Sequence, residues 1–461
     1  MRTLSGVTAL ACGALLTLSA PATASAAASP TCFGQTATIV GTPGDDNLTG
    51  TSGPDVIVGL SGNDTIDGLE GDDRLCGSKG ADTLVGGDGD DHLSGGRDLV
   101  KDVTDDGDLI SFGDDLDGGA GNDELDPGWD PGNHEFDGWV GDVIRFPGST
   151  VGPQVGLHID LAAGTAFGQG DDTLDLADAD SSVKVLGSPQ SDVIRGSSHA
   201  DWIDAEGGDD KVVLRGGSDY VNEDGPDSGD DTYRGGRGSD VLQSRSGDDV
   251  VDGGDGHDSL SATQQGTDRT VTVLGGDGDD DVAFFDSGTD PHQGGYTYRG
   301  GRGNDWFVPQ VEDRPSVPML ADLPTHTVGV GDDVADFGGF EHVDLLSRHG
   351  AVDVAGTPGP DKVWITAQKA TAALGDGRDD LFVSYSGKAD VELGDGADRL
   401  RMISIRHGAV AHLGAGNDLV ASTMYGRLGL ETLYGGAGRD TARLIGRHFV
   451  WHGIEDVTFP G

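Results

Sequence analysis

The chain has 461 residues, 81 of them glycine; only 35% are hydrophobic, and the formal net charge is −52. Such a charge excludes nucleic acid as a partner, because its phosphates would be repelled, and so acidic a chain with few aromatics is disordered unless its charge is neutralised. Something must screen the carboxylates and order the glycines, and metal cations are the direct candidates.

The first element in chain order is Arg2 with the apolar run GVTALACGALLTLSA and the small-residue stretch TASAAAS. This predicts a secretory signal peptide over 1–26, cut after Ala26 or Ala28, and hence a secreted, extracellular protein. The run is too short to cross a bilayer, and no later stretch could span one. Residues 27–40 are expected to form an N-terminal cap. Beyond the signal peptide the chain keeps two cysteines, Cys32 and Cys76. Outside the cell an even count predicts a disulfide. It closes a loop of about 45 residues, a constraint on the order of 4 kcal/mol in the chain-entropy model.

Residues 41–94 then divide into six units of nine: GTPGDDNLT, GTSGPDVIV, GLSGNDTID, GLEGDDRLC, GSKGADTLV and GGDGDDHLS. Positions 1 and 4 are glycine in every unit. Position 6 is Asp46, Asp55, Asp64, Asp73, Asp82 and Asp91; position 8 is Leu48, Ile57, Ile66, Leu75, Leu84 and Leu93. Positions 3, 5 and 7 vary freely. Glycine permits the tight turn of positions 1–6. Positions 7–9 suit a three-residue strand with only position 8 inward. One unit is then half a coil, and two make a closed coil of eighteen residues. Coils stacked at strand spacing, about 4.8 Å, place the turns of alternate units above one another. The predicted carboxylate pairs are Asp46 with Asp64, Asp55 with Asp73, Asp64 with Asp82, and Asp73 with Asp91. Carbonyls of Gly44, Gly53, Gly62, Gly71, Gly80 and Gly89 complete the sites. An all-oxygen set of carboxylates and carbonyls suits a hard cation of six to eight ligands, which is Ca²⁺. No His/Cys cluster offers zinc.

These units resemble the hemolysin-type, or repeats-in-toxin (RTX), calcium-binding nonapeptide G-G-x-G-x-D-x-U-x. The resemblance implies an all-β, right-handed parallel β-roll, a β-solenoid with several Ca²⁺ ions in its turns, from a secreted bacterial protein. The second position departs from the pattern, being Thr, Leu or Ser in five of the six units.

The frame continues with interruptions. The first repeat block is taken as 41–126, ending with GGAGNDELD and Asp123. Residues 127–186 read as an insertion and a strand-turn-strand connector that continues the coil. The second block, 187–308, carries Asp192, Asp201, Asp210, Asp219, Asp231, Asp240, Asp249, Asp258, Asp280 and Asp305. Gln190 and His199 replace the fourth-position glycine, so the first of these turns is expected to be weak or empty. Residues 309–355 read as a second interruption, with RPSVPMLADLPTH as a loop. In 356–461 the glycine-aspartate turns recur every eighteen residues or slightly more, at Asp361, Asp379, Asp398, Asp418 and Asp440. That spacing predicts a solenoid with calcium on one side only, closed by a cap.

Catalysis is not expected. There is no H-E-x-x-H, and GHDSL at Gly256 places Asp258 and Leu260 at positions 6 and 8 of a repeat rather than in a nucleophile elbow. The alternative to a structural or surface-associated calcium-binding protein lies in the 127–186 insertion. Trp129 and Trp139 there could bind a cell-surface or extracellular polysaccharide, or His134, Glu135 and Asp137 could act on one.

Overall fold

The computed structural model describes residues 29–97, 102–103, 109–110, 113–129, 142–146, 156–168, 171–174, 176, 183–223, 229–245, 247–264, 270–286, 295–311, 318–330, 333–384, 387–406, 408–423, 430–446 and 448–459. Every regular element among them is a β-strand. No helix of the described residues is long and apolar enough to cross a membrane.

Strands pair in parallel one coil apart. Thr65 lies opposite Thr83, and Arg74 opposite His92, each eighteen residues on. Consecutive units therefore belong to two separate rows of turns, and alternate units stack. The interior is a column of position-8 side chains, with Ile57, Ile66, Leu75, Leu84 and Leu93 all fully buried. Coil after coil of buried aliphatics is what lets so hydrophilic a chain keep a continuous core.

Two sequence readings need correction. The strands are not confined to positions 7–9. Thr65–Glu70 and Arg74–Lys79 are six residues long and run into the next unit. With alternate residues inward, the first-position glycine also faces the interior. The described part of 309–355 is not a loop either. Met319–Asp322, Thr327–Val330 and Asp333–Gly338 form an antiparallel meander whose outer strands pair in parallel with the coils on either side. His158–Asp160, Thr165–Phe167 and Asp171–Leu174, within 127–186, splice the second row by the same arrangement.

In the last third, His342–Ala355 and Lys362–Ala373 each pass from one row to the other as a single strand, with a register shift between Ser347 and Ala351 where they pair. The ITAQKATAA segment has no glycine turn to interrupt it, so strand geometry continues around the corner. Cys32 and Cys76 are joined by a disulfide. It ties the N-terminal segment to the third coil strand of its row, and Cys32 packs with Val56 and Val58.

Candidate metal centre

Inter-coil register sorts the sixth-position residues into two rows. The first runs Asp46, Asp64, Asp82, Asp114, Asp142, then Val183, then Asp201, Asp219, Asp240, Asp258, Asp280, Asp305, Glu341, Asp361, Asp379, Asp398, Asp418, Asp440 and Glu455. The second carries Asp55, Asp73, Asp91, Asp123 and Asp172. After its meander it resumes with Asp192, Asp210, Asp231 and Asp249. Beyond Asp249 the same position holds Val271, Tyr296, Ala335, and later Val352, Ala370, Ala389 and Ala409. Carboxylates thus line both edges of the N-terminal half and mainly one edge of the C-terminal third. Buried Glu431 in the second row is met by the Ser422 hydroxyl, 2.8 Å from both its oxygens.

Within a row the aspartates are linked backbone to side chain. The N–H of Asp46 donates to Oδ1 of Asp64 at 2.8 Å, Asp55 to Asp73 at 2.7 Å, Asp64 to Asp82 at 2.7 Å, and Asp73 to Asp91 at 2.8 Å. The ladder is the same at Asp192 to Asp210, Asp240 to Asp258, Asp361 to Asp379 and Asp418 to Asp440. The other oxygen has a different fate. Oδ2 of Asp64, Asp73, Asp91, Asp123, Asp210, Asp219, Asp231, Asp240, Asp249, Asp258, Asp280, Asp305, Asp379, Asp398, Asp418 and Asp440 is buried without a hydrogen-bond partner. A buried ionised oxygen left unpaired is costly, so a row of them marks places for a cation.

The first-position glycines shape those places. A Cβ on Gly59 would meet Oδ2 of Asp64 and the carbonyl oxygen of Gly77 one coil on. Gly68 has the same relation to Asp73 and Gly86, and Gly253 to Asp258 and Gly275. Carboxylate and carbonyl oxygens converge on the space a side chain would fill. The fourth-position glycines stack backbone on backbone: the α-carbons of Gly62 and Gly71 lie against Gly44 and Gly53, and the carbonyls of Gly62 and Gly71 face Gly80 and Gly89.

Among the described residues no three His, Cys, Asp or Glu side chains gather as a metal cluster. A cation here would be held by aspartate oxygens together with backbone carbonyls. Calcium, which accepts mixed oxygen sets of flexible geometry, fits that donor chemistry and the orphaned Oδ2 atoms. It would supply charge neutralisation between stacked turns.

Without a cation, burial pushes the carboxyls up. Asp91 and Asp123 rise to about 7 and Asp210 to about 9. The N–H that each accepts opposes the rise, and neighbouring aspartates add to it. Asp258, Asp280 and Asp379 rise to about 6, again mainly through burial. Glu223, at a first position beside Asp231, is raised for the same reason.

The family description "RTX calcium-binding nonapeptide repeat (4 copies)" matches residues 40–75, 70–98, 186–221, 227–260 and 411–442. The chain carries RTX calcium-binding repeats. No curated protein matches it significantly. Four of the five RTX matches lie in the nonapeptide blocks and one in the C-terminal third, whereas the register carries the rows further. Asp114, Asp142 and Asp172 accept ladder bonds from Asp82, Asp114 and Asp123. Glu341 and Glu455 take the place of aspartate, accepting from Asp305 at 2.9 Å and Asp440 at 2.7 Å. Sequence reading missed these five because their units lack the glycine frame. The remaining signal was an acidic residue two places before an aliphatic one, as in FGDDLD, VGDVIR and GIEDVT.

Position 5 is not free either. Its Asp or Asn side chains form an exposed outer ladder, Asp45 to Asn63, Asp72 to Asp90 and on to Asn122. Trp129 closes a strand at backbone level. His134, Glu135, Asp137 and Trp139 lie outside the described residues, as does the 1–26 segment.

Proposed function

We propose that this is an exported, non-catalytic protein that folds on meeting calcium outside the cell and then serves a structural or surface-associated role. The observation that carries the reading is the row of buried aspartate Oδ2 atoms without partners, which at Asp64, Asp73, Asp91, Asp240, Asp258 and Asp280 lie beside a carbonyl of the next coil. At low calcium, carboxylates stacked one coil apart repel and the glycines stay disordered. Extracellular calcium, near millimolar, meets sites with dissociation constants of about 10⁻⁴ M, as for extracellular modules. At ten times its dissociation constant one independent site stabilises by roughly 1.4 kcal/mol. Several such sites exceed the marginal stability of a small domain. The leader-like start, GVTALACGALLTLSA before TASAAAS, supports export.

The test is far-ultraviolet circular dichroism of the chain after chelation, titrated with CaCl₂ and separately with MgCl₂. A cooperative coil-to-β transition specific to calcium is expected. A chain already fully β-structured in chelator, with no calcium bound, would overturn the reading.

A further inference from the structure

Of the row aspartates that do not share the orphaned geometry, five have Ser or Thr four residues earlier, at position 2. Oδ2 of Asp55 accepts the Thr51 N–H at 2.7 Å and its hydroxyl at 2.9 Å. Asp192 takes the Ser188 N–H at 2.7 Å and hydroxyl at 2.9 Å; Asp201 takes those of Ser197 at 2.6 and 2.9 Å. Asp361 takes those of Thr357 at 2.7 and 2.8 Å, and Asp46 takes the Thr42 N–H.

The backbone differs as well. In the turns of Asp64, Asp73, Asp82 and Asp91, position 2 is left-handed, with φ of 88° at Leu60, 80° at Leu69, 89° at Ser78 and 114° at Gly87. None of Thr42, Thr51, Ser188, Ser197 and Thr357 has a positive φ. Their N–H groups turn inward onto their own aspartate.

These five turns share a place in the stack. Asp46 and Asp55 are the first aspartates of their rows. Asp201 follows Val183, Asp192 follows Leu157, and Asp361 follows Glu341. Each begins a run of aspartates; four have no carboxylate one coil earlier, and Asp361 follows a glutamate, Glu341, that accepts the ladder bond of Asp305. Ser78, in mid-run, holds φ 89° where Thr51 has no positive φ, so a hydroxyl at position 2 does not set the backbone of the turn by itself. Closure needs the residue and the place together.

We infer that Ser or Thr at position 2 closes the first turn of each run by hydrogen bonds to its aspartate, so that this carboxylate holds no cation and the run of calcium sites begins one coil later. A hydroxyl and an N–H supply to the carboxylate what a cation supplies further along. This rests on the calcium-binding reading above.

The test is calcium stoichiometry by equilibrium dialysis of the full chain. Asp73→Asn and Asp379→Asn are each expected to lose at least one bound calcium per chain. Asp55→Asn and Asp361→Asn are expected to keep the full count. Thr51→Val and Ser197→Ala, which retain every carboxylate, are expected to melt at lower temperature in saturating calcium with no calcium lost. A loss at Asp55→Asn equal to that at Asp73→Asn overturns the inference while leaving calcium binding intact. A wild-type chain that binds no calcium overturns the functional reading, and this inference falls with it.

Discussion

Leu69 holds a left-handed backbone, φ 80°, at a place where the RTX pattern has glycine. A side chain in that region costs roughly 1–2 kcal/mol. The Leu69 side chain is 42% exposed and so returns little by burial. Leu69→Gly is therefore expected to raise the melting temperature of the calcium-loaded protein, by a net ~0.5–1 kcal/mol once the added freedom of the unfolded chain is subtracted. Thr51→Gly, at a position with ordinary φ and two bonds to Asp55, is expected to lower it. Calorimetry of the two variants decides the matter; a fall for Leu69→Gly would mean that the left-handed turn carries no strain.

At the scale of the element, a six-residue strand such as Arg74–Lys79 has little stability of its own. It is held by coils above and below, and in a solenoid each repeat contacts only its neighbours. The Cys32–Cys76 disulfide, with a sequence separation of 44, is the one covalent link across coils among the described residues. Its loop corresponds to a constraint of roughly 4 kcal/mol. Replacing both cysteines by serine is expected to speed amide exchange in the first block, residues 41–97, while leaving exchange in 356–459 unchanged. Equal acceleration throughout would show that the molecule opens as one unit rather than from an end.

Across the whole molecule the buried carboxylates make stability depend on pH. In the metal-free fold Asp91, Asp123, Asp219 and Asp249 sit near 7 and Asp210 near 9, above the ordinary carboxyl value of 3.8, chiefly because of burial. A group with a raised folded-state pKa binds its proton more tightly folded than unfolded. Its contribution is present below 3.8 and is lost as pH rises from there through about 7, and for Asp210 through about 9. In chelator, then, β-structure is expected to be greater at pH 5 than at pH 8. With calcium the dependence reverses, because protons and cation compete for the same oxygens. The calcium midpoint in circular dichroism is expected to rise as pH falls from 8 to 6. A midpoint independent of pH would place the cation away from these aspartates.

Much of this was legible in the sequence because the rule is local. Position 1 is glycine where a Cβ would meet an aspartate and a carbonyl, position 8 is aliphatic because it points a large side chain into the core, and position 6 is aspartate, so period nine alone named the two-row solenoid and most of its carboxylates. What tertiary structure decided is which residues share a coil step once the spacing is broken. Register between coils is set by strand pairing, which tolerates segments of any length at the turns. Asp82 therefore meets Asp114, and Asp123 meets Asp172, across intervals no periodicity would match. Tertiary structure also separated the closed turns from the open ones. Thr51 and Ser78 are both hydroxyl residues at position 2, yet Thr51, at the start of its row, bonds its own aspartate, whereas Ser78, in mid-row, holds a left-handed backbone.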